Sequence, residues 1–380
     1  DFALSEEQEM LRKSARDFLT AHCPKSVVRE IEESDAGYST DLWRKMADLG
    51  WLGLNLPEEY GGAGLSLLDL AVLFEEFGRA ALHGPMSCTM VLGALPVMDY
   101  GDGPQREGIL PEVARGKMIL TMAVSEANAS EEPRFSATRA ASEKNNLFLT
   151  GTKLFVPYAH VADKILTLAR TEGNPGDSDG LTLFILDRDQ PGVSLSPMVN
   201  IAADRKFEMR LERVPAGKDI IGARHAAMPV VRSTLEKAAA IQCAEMVGGA
   251  QQELEITAEH ARTRVQFDRP LGSFQAVQHR LADMFIDVNG ARWVTYQAIW
   301  RLSEGLPAER EVSIAKAFTN LACLRVAGSA QQLHGGIGVD KAYDLHFYFR
   351  RAKAFELSLG GTYHHLQTLE AELAQQPRAH

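Results

Sequence analysis

The spacing of apolar residues predicts a helical first part of the chain. Up to about residue 115 these residues recur at helical intervals, as in LLDLAVLFEEFGRA (67–80). Ser39 suits the N-cap of a helix that contains Trp43, and Gly50 suits its end. The stretch LPEEYGGAGLS (56–66) is typical of a loop because of its Pro and Gly content.

The middle part, from 116 to about 225, changes to short runs of strand-forming residues with turn signals between them. The predicted strands are NLFLTGTKLFVPYA (146–159), DKILTLAR (163–170) and LTLFILDR (181–188). The predicted loops are TEGNPGDSDG (171–180), DQPGVSL (189–195) and ERVPAGKDIIG (212–222). This pattern predicts a small β domain.

The last part returns to helical spacing in long stretches without proline, which helix interiors exclude. Helices are predicted at about 226–262, 275–304, 309–334 and 342–373. Four long helices with short breaks favour an antiparallel bundle. The predicted domains are therefore 1–115 (helical), 116–225 (β) and 226–380 (helical bundle).

Composition and charge narrow the functional classes. The chain has 380 residues and a formal net charge of -10, which argues against broad binding to nucleic acid or to anionic membranes. It contains no apolar run long enough for a transmembrane helix. The N-terminus lacks a signal-peptide pattern, so we expect a cytoplasmic protein whose initiator Met or tag is missing. The four cysteines lie far apart, which predicts buried free thiols.

Common catalytic motifs are absent from the sequence. There is no GxGxxG fingerprint after a strand, no P-loop, no HExxH and no GxSxG elbow. His364 and His365 are adjacent and diverge by about 100° on a helix, which is poor geometry for one metal ion. No metal site is predicted, and spacing alone indicates only a three-part helical and β protein.

Three segments nevertheless resemble the acyl-CoA dehydrogenase family. They are LPEEYGGAGLSLLDLAVLFEEFGRA (56–80), RTRVQFDRPLGSFQAVQHRLADM (262–284) and AQQLHGGIGV (330–339). The resemblance covers essentially the whole chain. It implies an N-terminal helical domain, a β-barrel-like middle domain and a C-terminal four-helix bundle. It also implies FAD between the β domain and the bundle, a tetramer in which a neighbouring subunit completes the site, an acyl-CoA substrate, and an electron-transferring flavoprotein as acceptor.

The resemblance assigns cofactor roles residue by residue. Arg264 matches the arginine that contacts the FAD pyrophosphate, a suitable role for a fixed-charge multidentate ligand. Phe267 and Gln275 match residues near the adenosine portion. The segment whose backbone approaches the cofactor in the family matches Gln332, Leu333, Gly335 and Gly336. The other cofactor-binding positions that the resemblance implies are Val124, Ser125, Phe155, Val156 and Thr362.

The β-domain part of this pattern is altered at two places. The family's phosphate-contacting loop corresponds to SEANASEEPRF (125–135), where Ser125 and Glu126 are kept. The expected Pro, Gly, Ser and Asp are replaced by Ala127, Ser130, Glu131 and Glu132. A glutamate there opposes a phosphate electrostatically. In the flavin-lining run, Pro157 offers neither a hydroxyl nor a backbone N–H, so we expect rearranged or weaker FAD binding.

The catalytic base of the family is also missing at its usual place. Alignment puts Leu359 or Gly360 where the resemblance implies a glutamate. The nearest carboxylate, Glu356, lies one helical turn upstream. A subset of the family carries its base on the first bundle helix, and that position is Ala238 here. On that helix Glu236 is about 200° out of phase and Glu245 is nearly in phase but about 10 Å further along, so Glu245 is the preferred substitute.

Three functional hypotheses stay open at this point. The chain is a subunit of a heteromeric acyl-CoA dehydrogenase, acting on a bulky or ring-bearing thioester, whose partner supplies the base. Alternatively, it is a homomeric α,β-desaturating enzyme with a relocated base, Glu245 first. As a third alternative, it is a non-catalytic scaffold or regulatory subunit without FAD.

Overall fold

The computed structural model describes residues 4–127, 132–143, 146–217 and 219–375. The chain divides into two compact units. Unit 1 comprises Asp1–Arg29, Ser66–Leu82 and Ala239–His380. Unit 2 comprises Glu30–Leu65 and His83–Ala238.

The described residues form helices and strands in the order helical, β, helical. The helices are α1 (Glu6–His22), α2 (Lys25–Glu33), α3 (Thr40–Asp48), α4 (Leu67–Ala80), α5 (Leu95–Tyr100), α6 (Gly103–Ala114), α7 (Met228–Thr263), α8 (Gln275–Ser303), α9 (Glu309–His334), α10 (Leu345–Glu356) and α11 (Thr362–Gln375). The strands are β1 (Leu120–Ala123), β2 (Arg139–Glu143), β3 (Asn146–Pro157), β4 (Lys164–Arg170), β5 (Leu181–Asp187), β6 (Val193–Met198), β7 (Lys206–Ala216), β8 (Ile220–Ile221), β9 (Val265–Gln266) and β10 (Arg269–Pro270). The predicted N-cap of α3 is confirmed, because the Ser39 side chain accepts from the Leu42 amide.

Unit 1 is built on a close crossing of α4 and α7. A Cβ added at Gly78 of α4 would overlap the carbonyl oxygen of Glu245, and one at Gly248 of α7 would overlap that of Glu75. Glycine is therefore required at both positions for the backbones to approach. The apolar core around α7–α10 is formed by Met246, Ala250, Leu254, Met284, Val288, Cys323, Val326, Ala327, Ala330, Leu345 and Ala352.

Unit 2 contains a mixed sheet in the order β6-β7-β3-β2-β4-β5-β8, with β1 parallel to β4. The three predicted strands are confirmed as β3, β4 and β5, and the 171–180 loop is also as predicted. The loops predicted at 189–195 and 212–222 are partly wrong, because β6 and β7 extend into them. Pro215 pairs with Phe148 near the end of β7, where the ladder tolerates a residue without an N–H better than at its centre.

The helix predicted over 342–373 is wrong in one respect, since it consists of α10 and α11 with a break between them. Leu359 and Gly360 have φ angles of 55° and 88° in this break, which a helix cannot accommodate.

The four cysteines are free and buried, as predicted. Burial raises the pKa of Cys88 to about 12 and those of Cys23 and Cys243 to about 11, so these thiols are unreactive. Among the described helices, none is both long and apolar enough to span a bilayer.

Candidate active site

In unit 2, the predicted cofactor residues of two strands lie together. Val124 and Ser125 follow β1, and the carbonyl of Ser125 accepts a hydrogen bond of 2.9 Å from the amide of Leu154 in β3. That bond brings Ser125 close to Phe155 and Val156. This hydrogen bond therefore joins the two pairs of predicted residues in this unit.

A buried ion pair, which the sequence did not single out, holds this corner. Lys153 Nζ lies 2.6 Å from Glu126 Oε1 and 3.2 Å from the carbonyl of Val124, and its side chain is fully buried. Burial opposes ionisation of Glu126, but Lys153 and the donors Ser136 and Thr138 outweigh it and lower its pKa to about 2. Glu126 is therefore a structural anion of the loop.

Phe155 is presented on an irregular part of β3. The register with β7 shifts between Lys153 and Val156, and Phe155 has a φ of 57°. Its side chain is 56% exposed, while that of Val156 is buried. The bulge thus turns an aromatic ring outward, which suits packing against a planar cofactor ring. Pro157 contributes a carbonyl that accepts from Thr121 Oγ1 at 2.6 Å.

The altered loop is described only at its two ends. Ala127 is exposed, and the Glu132 carboxylate lies 3.8 Å from Arg232 and 3.9 Å from Arg134. Glu132 is therefore partly neutralised by arginines. Ser130 and Glu131 lie outside the described residues.

In unit 1, Arg264 lies at the end of α7, where a hairpin formed by β9 and β10 begins. Its guanidinium is exposed and, among the described residues, forms no ion pair. Phe267 at the hairpin turn is 83% exposed and has a φ of 55°. The carbonyl of Arg264 accepts from Leu271, so the hairpin places Arg264 near Gln275, the first residue of α8.

The end of α9 lies beside this hairpin. His260, one turn before Arg264, stacks on His334 with ring centroids 4.2 Å apart. Burial lowers the pKa of His260, and neighbouring His334 and Arg264 lower it further. The structure therefore brings the predicted pyrophosphate arginine together with the segment from Gln332 to Gly336.

The backbone conformation at position 335 favours glycine, apart from any contact with a ligand. It has φ 62° and ψ -139°, a region that only glycine adopts readily. A Cβ at Gly335 or Gly336 would meet nothing within 4 Å among the described residues. The surface next to these glycines is therefore open, as a close backbone approach to a cofactor requires.

Thr362 lies far from that surface. It begins α11, and its hydroxyl is 3.5 Å from Glu356 at the end of α10. Lys316 of α9 donates to the carbonyl of Phe355 at 2.8 Å. About 24 Å of helix separates Lys316 from Gln332. The predicted cofactor residues of unit 1 therefore form two groups at different parts of α9.

The two carboxylates considered as substitutes for the base are both held by cations. Glu356 lies 2.8 Å from Lys353. Glu245 is buried and forms an ion pair with Arg351, whose other nitrogen donates to the carbonyl of Leu82 at 3.1 Å. Ala238 is fully buried and Glu236 is partly buried.

One further carboxylate was missed by sequence reasoning. Glu253 is fully buried, burial raises its pKa well above the usual value, and its Oε1 has no hydrogen-bond partner among the described residues. It lines a cavity of about 20 Å³ together with Cys323, Tyr348 and Phe355. No sequence signal marks it, because its isolation depends on which helices cover it.

Three family models match the chain in order. The acyl-CoA dehydrogenase N-terminal domain matches residues 5–117, the middle domain 121–214 and the C-terminal domain 228–373. The chain belongs to the acyl-CoA dehydrogenase family. Acyl-CoA dehydrogenases bind FAD, and this chain is an FAD-dependent enzyme of that family with its helical, β and helical domain order.

The similar proteins include a chain of a two-protein complex. Acyl-CoA dehydrogenase FadE27 of Mycobacterium tuberculosis is 32% identical, over 99% of this chain and 100% of its own length. The ChsE4-ChsE5 complex from Mycobacterium tuberculosis contains a chain that is 31% identical, with a TM-score of 0.91 over 99% of this chain and 100% of that one. A variant of the Tcur3481-Tcur3483 steroid ACAD is 36% identical, with a TM-score of 0.88 over 97% of this chain and 98% of that one.

Proposed function

We propose that this chain is one subunit of a heteromeric acyl-CoA dehydrogenase that introduces an α,β double bond into a bulky, ring-bearing acyl-CoA. The observation that carries the proposal is the division of the cofactor residues in unit 1. Arg264, at the end of α7, and Gly335 lie near one end of α9. Thr362 follows a turn that Lys316 holds, about 24 Å of helix from that end. One chain thus offers two partial cofactor surfaces, each of which a second chain would complete.

The residues present fit FAD. The exposed cation of Arg264 suits a pyrophosphate, and the open backbone at Gly335 admits a ligand. In unit 2, the outward ring of Phe155 suits a flavin ring. When bound, FAD supplies the acceptor for the hydride that leaves the substrate's β-carbon. This chain's residues bind and orient the cofactor, and the partner's base removes the α-proton.

The choice of a heteromer is supported by the similar proteins that are described as complexes, and by the steroid ACAD among them. It is also supported by the absence of a carboxylate side chain at Leu359 and Gly360. An electron-transferring flavoprotein is the expected electron acceptor.

The test compares Arg264→Met with Arg262→Met, a matched control whose guanidinium is instead paired with Glu259 on the exposed side of α7. Each variant is co-expressed with the candidate partner chain, and bound FAD and acyl-CoA-dependent dye reduction are measured. We expect Arg264→Met to lose most of the flavin and Arg262→Met to retain it. Ordinary turnover of saturated or ring-bearing acyl-CoA thioesters by the chain purified alone would refute the heteromer.

A homomeric enzyme with a relocated base is the second candidate, and the structure favours Glu356 over Glu245 for that role. The Glu356 carboxylate lies 3.5 Å from the hydroxyl of Thr362, next to the position where the family carries its base. Under this alternative the chain alone turns over acyl-CoA, and Glu356→Gln abolishes turnover while the flavin spectrum is retained.

A further inference from the structure

We propose that His365 is a positioning residue for the turn between α10 and α11. Its ring occupies the space that a side chain at position 360 would need, so the turn cannot carry a catalytic base at that position. The inference rests on the proposed function, because it explains why this subunit leaves proton abstraction to its partner.

The backbone of the turn already disfavours a side chain at position 360. Gly360 has a φ of 88°, a conformation that residues with a Cβ rarely adopt. The space is also filled, since a Cβ at Gly360 would overlap Nε2 of His365 and lie 2.8 Å from Cδ2 of His364. A glutamate at this position would therefore meet both a backbone and a packing obstacle.

His365 is fixed on two sides. Its Nε2 lies 3.0 Å from the carbonyl oxygen of Leu359, and its Nδ1 lies 3.3 Å from Oγ of Ser313 on α9. A carbonyl accepts only, so Nε2 carries the proton and Nδ1 is the acceptor for the serine hydroxyl. The ring is 7% exposed, and burial lowers its pKa to about 4, so it is neutral at physiological pH.

The preceding side of the turn is anchored to the same helix. Two side chains of α9 bind the last carbonyls of α10. Lys316 Nζ donates to the carbonyl of Phe355 at 2.8 Å, and Asn320 Nδ2 donates to the carbonyl of Glu356 at 3.4 Å. A cation at the C-terminal end of a helix also stabilises the helix dipole. With Ser313 holding His365, α9 fixes both arms of the turn.

The experiment is a double-mutant cycle on the full-length chain, with thermal unfolding midpoints as the readout. If His365 fills the space of position 360, Gly360→Ala lowers the midpoint strongly in the wild-type background and much less in His365→Ala. Gly305→Ala is the matched control, because Gly305 also has a positive φ, of 66°, but its Cβ would meet nothing within 4 Å. Its effect should be the same in both backgrounds. Additive effects of Gly360→Ala and His365→Ala would overturn the proposal.

A second measurement separates positioning from general packing. His365→Gln keeps an N–H donor for the Leu359 carbonyl and should retain most of the wild-type midpoint, whereas His365→Ala should not. NMR of the chain labelled with ring-15N histidine gives the protonation state of each ring, and the resonances of His365 are those that disappear in His365→Gln. In the wild-type chain these resonances should show a neutral ring that is protonated on Nε2 down to about pH 5. Titration of that ring near its ordinary pKa of 6.5 would overturn the proposal.

The two proposals fail separately. Turnover by the chain alone would refute the partner-supplied base and leave the coupling between Gly360 and His365 intact. Additivity in the cycle would refute the role of His365 and leave the heteromer untouched.

Discussion

Replacing Glu253 with glutamine should stabilise the chain at neutral pH and remove part of its pH dependence. The wild-type carboxyl group is fully buried, with Oε1 unpartnered among the described residues. Burial disfavours the charged form, so the folded chain holds a proton that the unfolded chain releases. A glutamine keeps the shape of the side chain and has no charge to suppress.

The sign and size follow from linkage. The folded pKa of Glu253 is raised above its usual value of 4.5, so its contribution to stability is intact below pH 4.5 and is lost as the pH rises towards the folded pKa. Each pH unit in this window costs about 1.4 kcal/mol. Above pH 4.5 the wild-type chain therefore loses stability as the pH rises towards the folded pKa, and Glu253→Gln does not lose it.

The assay is denaturant unfolding of the full-length chain at pH values from 4.5 to 8, followed by circular dichroism. Glu259→Gln is the control on the same helix, because its carboxylate is 56% exposed and, within the described part of the chain, pairs with the nearby Arg262. The difference between Glu253→Gln and wild type should grow with pH, and it should grow more than the difference for Glu259→Gln. Equal pH slopes in wild type and Glu253→Gln would refute the reasoning.

Three further predictions test other parts of the structure. Arg351→Met leaves the buried Glu245 carboxylate without its guanidinium and should cost roughly 3–5 kcal/mol in denaturant unfolding. Glu126 has a folded pKa of about 2, below its usual 4.5. Its contribution of about 3 kcal/mol to the free energy of unfolding is therefore present above pH 4.5 and is lost as the pH falls towards 2. Glu126→Gln should accordingly make the free energy of unfolding less dependent on pH in this acid range. Gly78→Ala should lower the thermal midpoint by overpacking against α7, whereas Gly108→Ala, on an open face of α6, should raise it slightly.

The sequence predicted the elements whose signals are local. α3 follows from its serine cap and terminal glycine, and β4 and β5 follow from continuous apolar runs that are buried in the sheet. β2 was not predicted, because Arg139–Glu143 is largely polar and exposed and is a strand only through its pairing with β3. Pairing between distant segments is a tertiary effect that periodicity does not encode.

The candidate site divides in the same way. Arg264, Phe267 and Gln275 are predicted from the sequence because they lie in one contiguous motif. Lys153 and His365 could not, because each matters through partners far along the chain, Glu126 and Ser313 respectively. Their hydrogen bonds hold the segments that carry them, and only the fold brings these partners together.

The carboxylates near the missing base can be ranked by what surrounds them. A general base needs a carboxylate with a raised pKa that can reach the substrate's α-proton. Glu245 and Glu356 are each engaged by a cation, so neither carboxylate is free to accept a substrate's α-proton. Glu253 has the raised pKa, but its cavity of about 20 Å³ has room for a water molecule and not for a thioester. Each carboxylate thus lacks one of the two requirements, which favours a base supplied by a partner chain.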